Sequence, residues 1–336
     1  MSKWSSSKTG LAAYAANFKW SEHSTGLGFI LLFLLGVFVS ALAQGFRGAP
    51  VFVTPANFLM VLRQVSYTGI IALGMTLVII SGGIDLSVGS MMAFVGGVAV
   101  FLLKRFPGNS LFGVLIALLF ALVFGVFCGF VNGFMVTRGR IAPFIATLGT
   151  MAIFRSLILY FSKAANIEST NTMFITFGPA QILGVSLPVW IFFILAALMH
   201  LLLNNTRFGR YVCAVGANEQ VARYSAINVQ LIKLIPYAIT GFMVAVSSML
   251  WGSRINGIQP SQVGSGYELD AIAAVVIGGT SMSGGKGTII GTVLGAIMLG
   301  MINNMLVLGG ISSFLQQAAR GLVIIVAVLL QYNSNK

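Results

Sequence analysis

The sequence predicts an all-α polytopic membrane protein of about 10 transmembrane helices, some of them broken, with both termini in the cytoplasm. Three observations carry this prediction. Charged residues make up 7% of the 336, the apolar set reaches 57%, and the mean hydropathy is +0.97. Soluble domains carry about 25% charged residues, and 19 basic with 6 acidic side chains are too few to cover the surface of a soluble chain this long. Apolar runs with at most one charged residue recur along the whole sequence, many near the 20 or so residues needed to cross a hydrocarbon core of about 30 Å. The third observation is an abundance of glycine, 40 residues, which suits helices that cross closely in lipid.

The runs, in order, are Leu27 to Gln44, Phe58 to Ile80, Leu86 to Leu103, Leu111 to Val136, Pro143 to Phe161, Leu187 to Leu203, Leu234 to Gly252, Leu269 to Thr280, Thr288 to Leu308 and Ala318 to Tyr332. The eighth is too short to cross alone, and glycines interrupt the third. Residues 1–26 form a polar cytoplasmic tail. Within it Leu11, Tyr14, Ala15 and Phe18 share one helical face beside Lys8, Lys19 and Trp20, the pattern of a short helix lying on membrane lipid. The first run follows no small-residue cleavage site and reads as an uncleaved anchor. Residues 27–332 are the transmembrane domain, and 333–336 a short cytoplasmic tail.

Orientation follows from the basic residues, because basic loops stay on the cytoplasmic side. With the N-terminus inside, the inner segments hold Lys3, Lys8, Lys19, Arg138, Arg140, Arg207, Arg210, Arg223, Lys233, Lys286 and Lys336, eleven in all. The outer loops hold five: Arg47, Lys104, Arg105, Lys163 and Arg254. Arg63, Arg155 and Arg320 fall within helices, and Arg155 reads as a side chain snorkelling to the outer interface. The same bias explains the net charge of +13 without any nucleic-acid partner. Trp190 and Tyr160 near the outer face and Tyr332 near the inner one suit an aromatic belt.

Chemistry-bearing residues are sparse. Two cysteines, Cys128 and Cys213, exclude a disulfide framework, and His23 and His200 lie too far apart to suggest a metal site. No catalytic residue set and no metal or cofactor site bound by this chain is expected. The stretch Gly278 to Thr288, GGTSMSGGKGT, fails the phosphate-loop pattern twice, since Thr280 occupies the first glycine position and Gly287 follows Lys286. Any ATP must therefore bind another subunit.

Carboxylates near the membrane are confined to Asp85, Glu268 and Asp270. Asp85 lies in SGGIDLSVGS, Ser81 to Ser90, where glycines and serines, including Ser87, interrupt an apolar region. Broken helices of this kind line transport pathways, and an aspartate at such a place can also cap the following helix. Ser283-Gly284-Gly285 with Gly291 echoes Ser81-Gly82-Gly83 with Gly89, a weak internal repeat. Asn132, Asn303 and Asn304 could bond a polyol's hydroxyls or join two helices. The ladders Gly125, Gly129, Gly133 and Gly287, Gly291, Gly295 read as helix packing.

The longest cytoplasmic segment, Asn204 to Lys233, contains Asn218 as the cap of a short helix to about Ile227, with Glu219 in its first turn. Val221, Tyr224 and Ser225 share a face, which fits either a docking surface or a helix on the membrane surface.

Four segments then carry a resemblance: MTLVIISGGIDLSVGS (Met75 to Ser90), PFIATLGTM (Pro143 to Met151), TRFGRYVCAVGANEQVARYSAINV (Thr206 to Val229) and GYELDAIAAVVIGGTSMSGGKGTIIGTVLGAIMLGMINNML (Gly266 to Leu306). From about Phe58 to the C-terminus the chain resembles permease subunits of bacterial ATP-binding cassette importers for monosaccharides, the ribose type above all. Ala217 and Ala226 stand where that family usually has glycine. The resemblance implies a multi-pass inner-membrane protein that pairs with a second permease subunit, most simply as a homodimer. It also implies a cytosolic ATPase, which would hold the ATP and Mg, and a periplasmic or lipid-anchored sugar-binding protein. It makes 204–233 a coupling loop, with Arg207, Gly216, Asn218, Glu219, Arg223 and Tyr224 facing the ATPase. Asp85, Ser87, Asn132, Asn303 and Asn304 are the pathway candidates. The competing reading is a proton-coupled secondary transporter of a small polar solute, with Asp85 or Asp270 as the relay. A membrane-embedded enzyme would need a catalytic set that the sequence lacks.

Overall fold

The computed structural model describes residues 20–43, 50–312, 315–316, 318 and 321–322. The expected surface helix within residues 1–19 lies outside these, as does the tenth apolar run from residue 323 onward.

The helices are α1 (Trp20–Ala43), α2 (Pro55–Ile80), α3 (Val88–Leu103), α4 (Leu111–Thr137), α5 (Pro143–Ser162), α6 (Thr172–Phe177), α7 (Leu187–Asn205), α8 (Arg207–Ala217), α9 (Glu219–Tyr224), α10 (Val229–Arg254), α11 (Tyr267–Ile277) and α12 (Ile289–Leu308). Two-residue strands β1 (Ile167–Glu168), β2 (Gln181–Ile182), β3 (Val185–Ser186) and β4 (Gly257–Ile258) lie in the connections. Among the described residues six helices, α2, α4, α5, α7, α10 and α12, are long and apolar enough to cross a membrane. The apolar part of α1 and α3 are shorter.

Side-chain caps set many of the boundaries. Thr54 accepts from Asn57 N ahead of α2, Ser110 from Gly113 N ahead of α4, and Thr288 from Gly291 N ahead of α12. Each satisfies a backbone donor that has no partner inside the helix. Three boundaries differ from the hydropathy reading. Helix α1 begins at Trp20 rather than Leu27. Helix α10 begins at Val229 rather than Leu234, capped by Asn228, which accepts from Leu231 N. Helix α9 stops at Tyr224 rather than Ile227, because Ala226 adopts a left-handed φ of 59°.

Non-local pairings sort the connections into two ends of the bundle. At one end β1 pairs antiparallel with β4, and Gly108 bridges to Asn171, joining the connections that follow α3, α5 and α10. At the other end Gly285 N donates to Ile80 O at 2.8 Å, joining the turn after α11 to the turn after α2.

Helix α2 runs through the centre, with every residue from Gly69 to Ile80 buried. Phe112, Leu119 and Val123 of α4 project outward instead, as an apolar face does against lipid. Since lipid supplies no hydrophobic force between helices, close backbone approach has to hold them. A methyl group on Gly241 of α10 would overlap the carbonyl of Gly125 on α4, and one on Gly295 of α12 would overlap that of Ala274 on α11. Gly125, Gly129 and Gly133 thus pack α4 on α10, and Gly291 and Gly295 pack α12 on the end of α11, whereas Gly287 lies in the turn before α12 and faces Thr280, a correction to the second ladder.

Candidate translocation and coupling site

Three features of the fold bring the polar residues together. The first is the break between α2 and α3. Ser81 and Gly82 end α2, Gly82 with φ 80°, and the chain runs irregularly to Ser87. Asp85 is fully buried there. Its Oδ1 accepts from Ser87 N at 2.9 Å and from Ser87 Oγ at 2.7 Å, an aspartate turn that leads into α3. Asn132 of α4 closes the cluster, its Nδ2 donating to Ser87 Oγ at 2.7 Å and reaching Asp85 Oδ2 at 3.3 Å. The Ile84 carbonyl accepts from Tyr237 Oη at 3.3 Å. Asp85, Ser87 and Asn132 therefore form one buried unit spanning α3, α4 and, through the neighbouring carbonyl, α10.

The second is a meeting of two short helices. At about 1.5 Å per residue, α3 and α11 are each too short to span the bilayer, and their N-termini converge. A methyl group on Gly89 would lie 2.5 Å from Glu268 Oε2 and would overlap Gly264 O. Arg155 of α5 fastens this junction: its guanidinium donates to the carbonyls of Pro260 and Val263, the latter at 3.0 Å, and reaches Gly89 O at 3.5 Å. Arg155 is thus turned inward onto backbone carbonyls, a correction to the snorkelling expected of it. Helix N-termini carry partial positive charge, and the Glu268 carboxylate in the first turn of α11 complements it.

The third is the α8–α9 hairpin. Thr206 caps α8, accepting from Gly209 N at 3.2 Å, and Asn218 caps α9, accepting from Val221 N at 3.0 Å. Arg207 opens α8. The hydropathy reading misses α8 because its apolar residues occupy one stripe, with Val212 and Val215 buried and Arg210 exposed. Gly216, one residue before the end of α8, lies against Ile80 and Gly285. Glu219 accepts from Arg223 at 3.0 Å and from Lys233 of α10. The Lys233 hydrogen bond is the main reason its carboxyl lies below the ordinary range. Tyr224 and Val221 project into the open at 88% and 57% exposure.

The remaining candidates separate. Asn304 of α12 pairs reciprocally with Asn57 of α2, at 2.9 and 3.0 Å, and holds two helices together. Its neighbour Asn303 lines a cavity between α2, α11 and α12 with Gln64, Thr68 and Asp270. Sequence reasoning missed Gln64, Thr68 and the inward role of Arg155. A polar residue within an apolar run was the available signal.

The chain matches the family model for the permease component of branched-chain amino acid transport systems over residues 57–328. It is 41% identical to the ribose import permease RbsC of Escherichia coli, covering 90% of this chain and 91% of the relative. Identity to the ribose import permease RbsC of Bacillus subtilis is 42%, with the same coverage. The galactose/methyl galactoside import permease MglC of Escherichia coli is 36% identical over 91% of this chain and 93% of its own. No solved structure matches the chain significantly. With relatives of this identity along nine-tenths of its length, and helices built to cross a bilayer many times, the chain belongs to the permease family of bacterial ATP-binding cassette importers, multi-pass proteins of the inner membrane.

Proposed function

We propose that this chain is the membrane-spanning subunit of an ATP-driven importer of ribose-like monosaccharides. The observation that carries the reading is the seat of the α8–α9 hairpin. Gly216 packs on the turn that leads into Asp85, so a push on the exposed hairpin is delivered to the broken helix at the bundle's centre. Import permeases similar to the chain are named for ribose and for galactose, which supports a monosaccharide.

In this reading the hairpin end faces the cytoplasm, both termini lie on that side, and 204–233 is the coupling loop of a permease domain spanning 27–332. Arg207, Gly216, Asn218, Glu219, Arg223 and Tyr224 meet a cytosolic ATPase, which holds the ATP and Mg. The opposite end, built on β1 and β4, receives a sugar-binding protein. A second copy of the permease completes the pathway, and this subunit performs no catalysis. Asp85, Ser87 and Asn132 hold the broken helix beside that pathway, Asn303 faces it, and Asn304 braces α12 next to it.

The test is uptake of labelled ribose by proteoliposomes containing the permease, its ATPase and its binding protein. Accumulation should require ATP and survive a protonophore. Accumulation that ignores ATP and collapses with the proton gradient would replace this reading with a proton-coupled transporter.

A further inference from the structure

The cavity between α2, α11 and α12 has a volume of about 250 Å³, just under the range of about 300–1,000 Å³ typical for drug-sized ligands. Its polar residues are Gln64, Thr68, Ser265, Tyr267, Asp270 and Asn303. Its apolar floor includes Val65, Ala296 and Leu299. A carboxylate, two carboxamides, three hydroxyls and an apolar floor match a small neutral polyol, which offers hydroxyls along its edge and C–H groups on its face. No lysine or arginine lines it among the described residues, so an anionic solute has no counter-charge there.

Two further observations point to a ligand. Asn303 Oδ1 is buried and has no hydrogen-bond partner among the described residues, so a residue lining the cavity carries an unsatisfied acceptor. The Tyr267 ring is also held in place from behind. Trp251 meets it edge-on with centroids 6.2 Å apart, and Tyr67 meets Trp251 edge-on at 5.0 Å. Arg254 lies over both Tyr67 and Trp251, 5.8 and 5.6 Å from their centroids. Gln64 and Ser265 are exposed on this face, where lipid would penalise them.

We propose that this cavity is a monosaccharide-recognition site within the permease itself, so that this chain, as well as its binding-protein partner, selects the sugar. The proposal rests on the importer reading above. Gln64, Thr68 and Asn303 bond the hydroxyls, and Tyr267 orients the ring. A site built to bond hydroxyls discriminates strongly against solutes that lack them, because its own polar groups are then left unpaired.

The experiment uses the whole importer in proteoliposomes, with D-ribose as the probe and uptake and ATP hydrolysis measured together. Thr68→Val removes a hydroxyl at nearly constant shape, and Asn303→Leu replaces the amide by an apolar branch. Each variant should move about tenfold fewer ribose molecules per ATP hydrolysed, with ATPase stimulation by loaded binding protein within about twofold of wild type. An unchanged ratio in Thr68→Val overturns the proposal, and so does a parallel loss of uptake and ATPase stimulation in that variant. Thr68→Val decides the matter alone if Asn303→Leu does not assemble. Wild-type protein that accumulates no ribose on ATP sinks the importer reading itself, whereas ATP-driven wild-type uptake with unaltered variants sinks only the site.

Discussion

Gly216, the penultimate residue of α8, lies directly against the carbonyl of Ile80, the last residue of α2. A methyl group there would overlap that oxygen and stand 2.6 Å from Gly285 N, the donor that already bonds it. Three backbone segments distant in sequence thus share one contact, with no side chain between them to absorb movement. A displacement of the hairpin must pass to the turn that carries Asp85.

Gly216→Ala tests this contact. Overpacking a well-filled site costs about 1–3 kcal/mol, and here the obstacle is backbone rather than a flexible side chain. The variant should lower the thermal midpoint of the purified permease and, where it assembles, uncouple ATP hydrolysis from uptake. Wild-type coupling with an unchanged midpoint would contradict the rigid seat.

Ala226 makes the opposite case. It holds a φ of 59°, a conformation that costs a residue bearing a Cβ about 1–2 kcal/mol. Ala226→Gly removes that penalty while adding freedom to the unfolded chain, so a net gain of about 0.5–1 kcal/mol is expected. Hydrogen exchange across residues 219–228 should slow accordingly.

How much of this was legible beforehand differs by element. Hydrocarbon thickness dictates run length, so nine apolar runs coincide with α1 to α5, α7 and α10 to α12 to within a few residues at most ends. Helix α8 was invisible because its signal is a narrow stripe, not a run. The Asp85 break was legible in its glycines and serines, but its partner Asn132 was known only as an isolated carboxamide. The Arg155 junction and the cavity joining Gln64 to Asn303 combine residues far apart in sequence, and a single chain carries no signal for such pairings.

Glu219 offers a pH test. Its carboxyl is held below the ordinary value of 4.5, first by the Lys233 hydrogen bond. A depressed pKa in the folded state contributes stability above the unfolded value and loses it as pH falls through the folded one. The hairpin's attachment to α10 should therefore persist through the usual carboxylate range and weaken only below it. Lys233→Met removes the main cause, so loss of α9 protection in hydrogen exchange should move to higher pH. An unmoved midpoint would assign the attachment to packing instead.

Topology can be read chemically. Ser225 is exposed beside α9, and Ala165 is exposed in the connection that carries β1 at the other end. Single cysteines at these sites, with Cys128 and Cys213 replaced, should react with an impermeant maleimide from opposite sides of the membrane, Ala165→Cys from outside. Labelling of both from one side would overturn the assignment of ends.

Asp85 separates the importer from a proton-coupled carrier. Its Oδ1 accepts from the amide and hydroxyl of Ser87, and Asn132 donates to the cluster. Asp85→Asn keeps an oxygen for Ser87, and its new donor can face Asn132 Oδ1, a buried acceptor without a partner among the described residues. Most transport should survive. Asp85→Leu leaves the Ser87 amide and hydroxyl without their acceptor in a buried site, at about 1–3 kcal/mol each, and should lose most assembled protein or uptake. A proton relay tolerates neither change, because an amide does not titrate. Ribose uptake at matched expression, with ATP held constant and with or without a protonophore, discriminates the two. Equal loss in both variants, together with collapse of wild-type uptake on adding the protonophore, would make Asp85 a proton carrier rather than the residue that holds the broken helix.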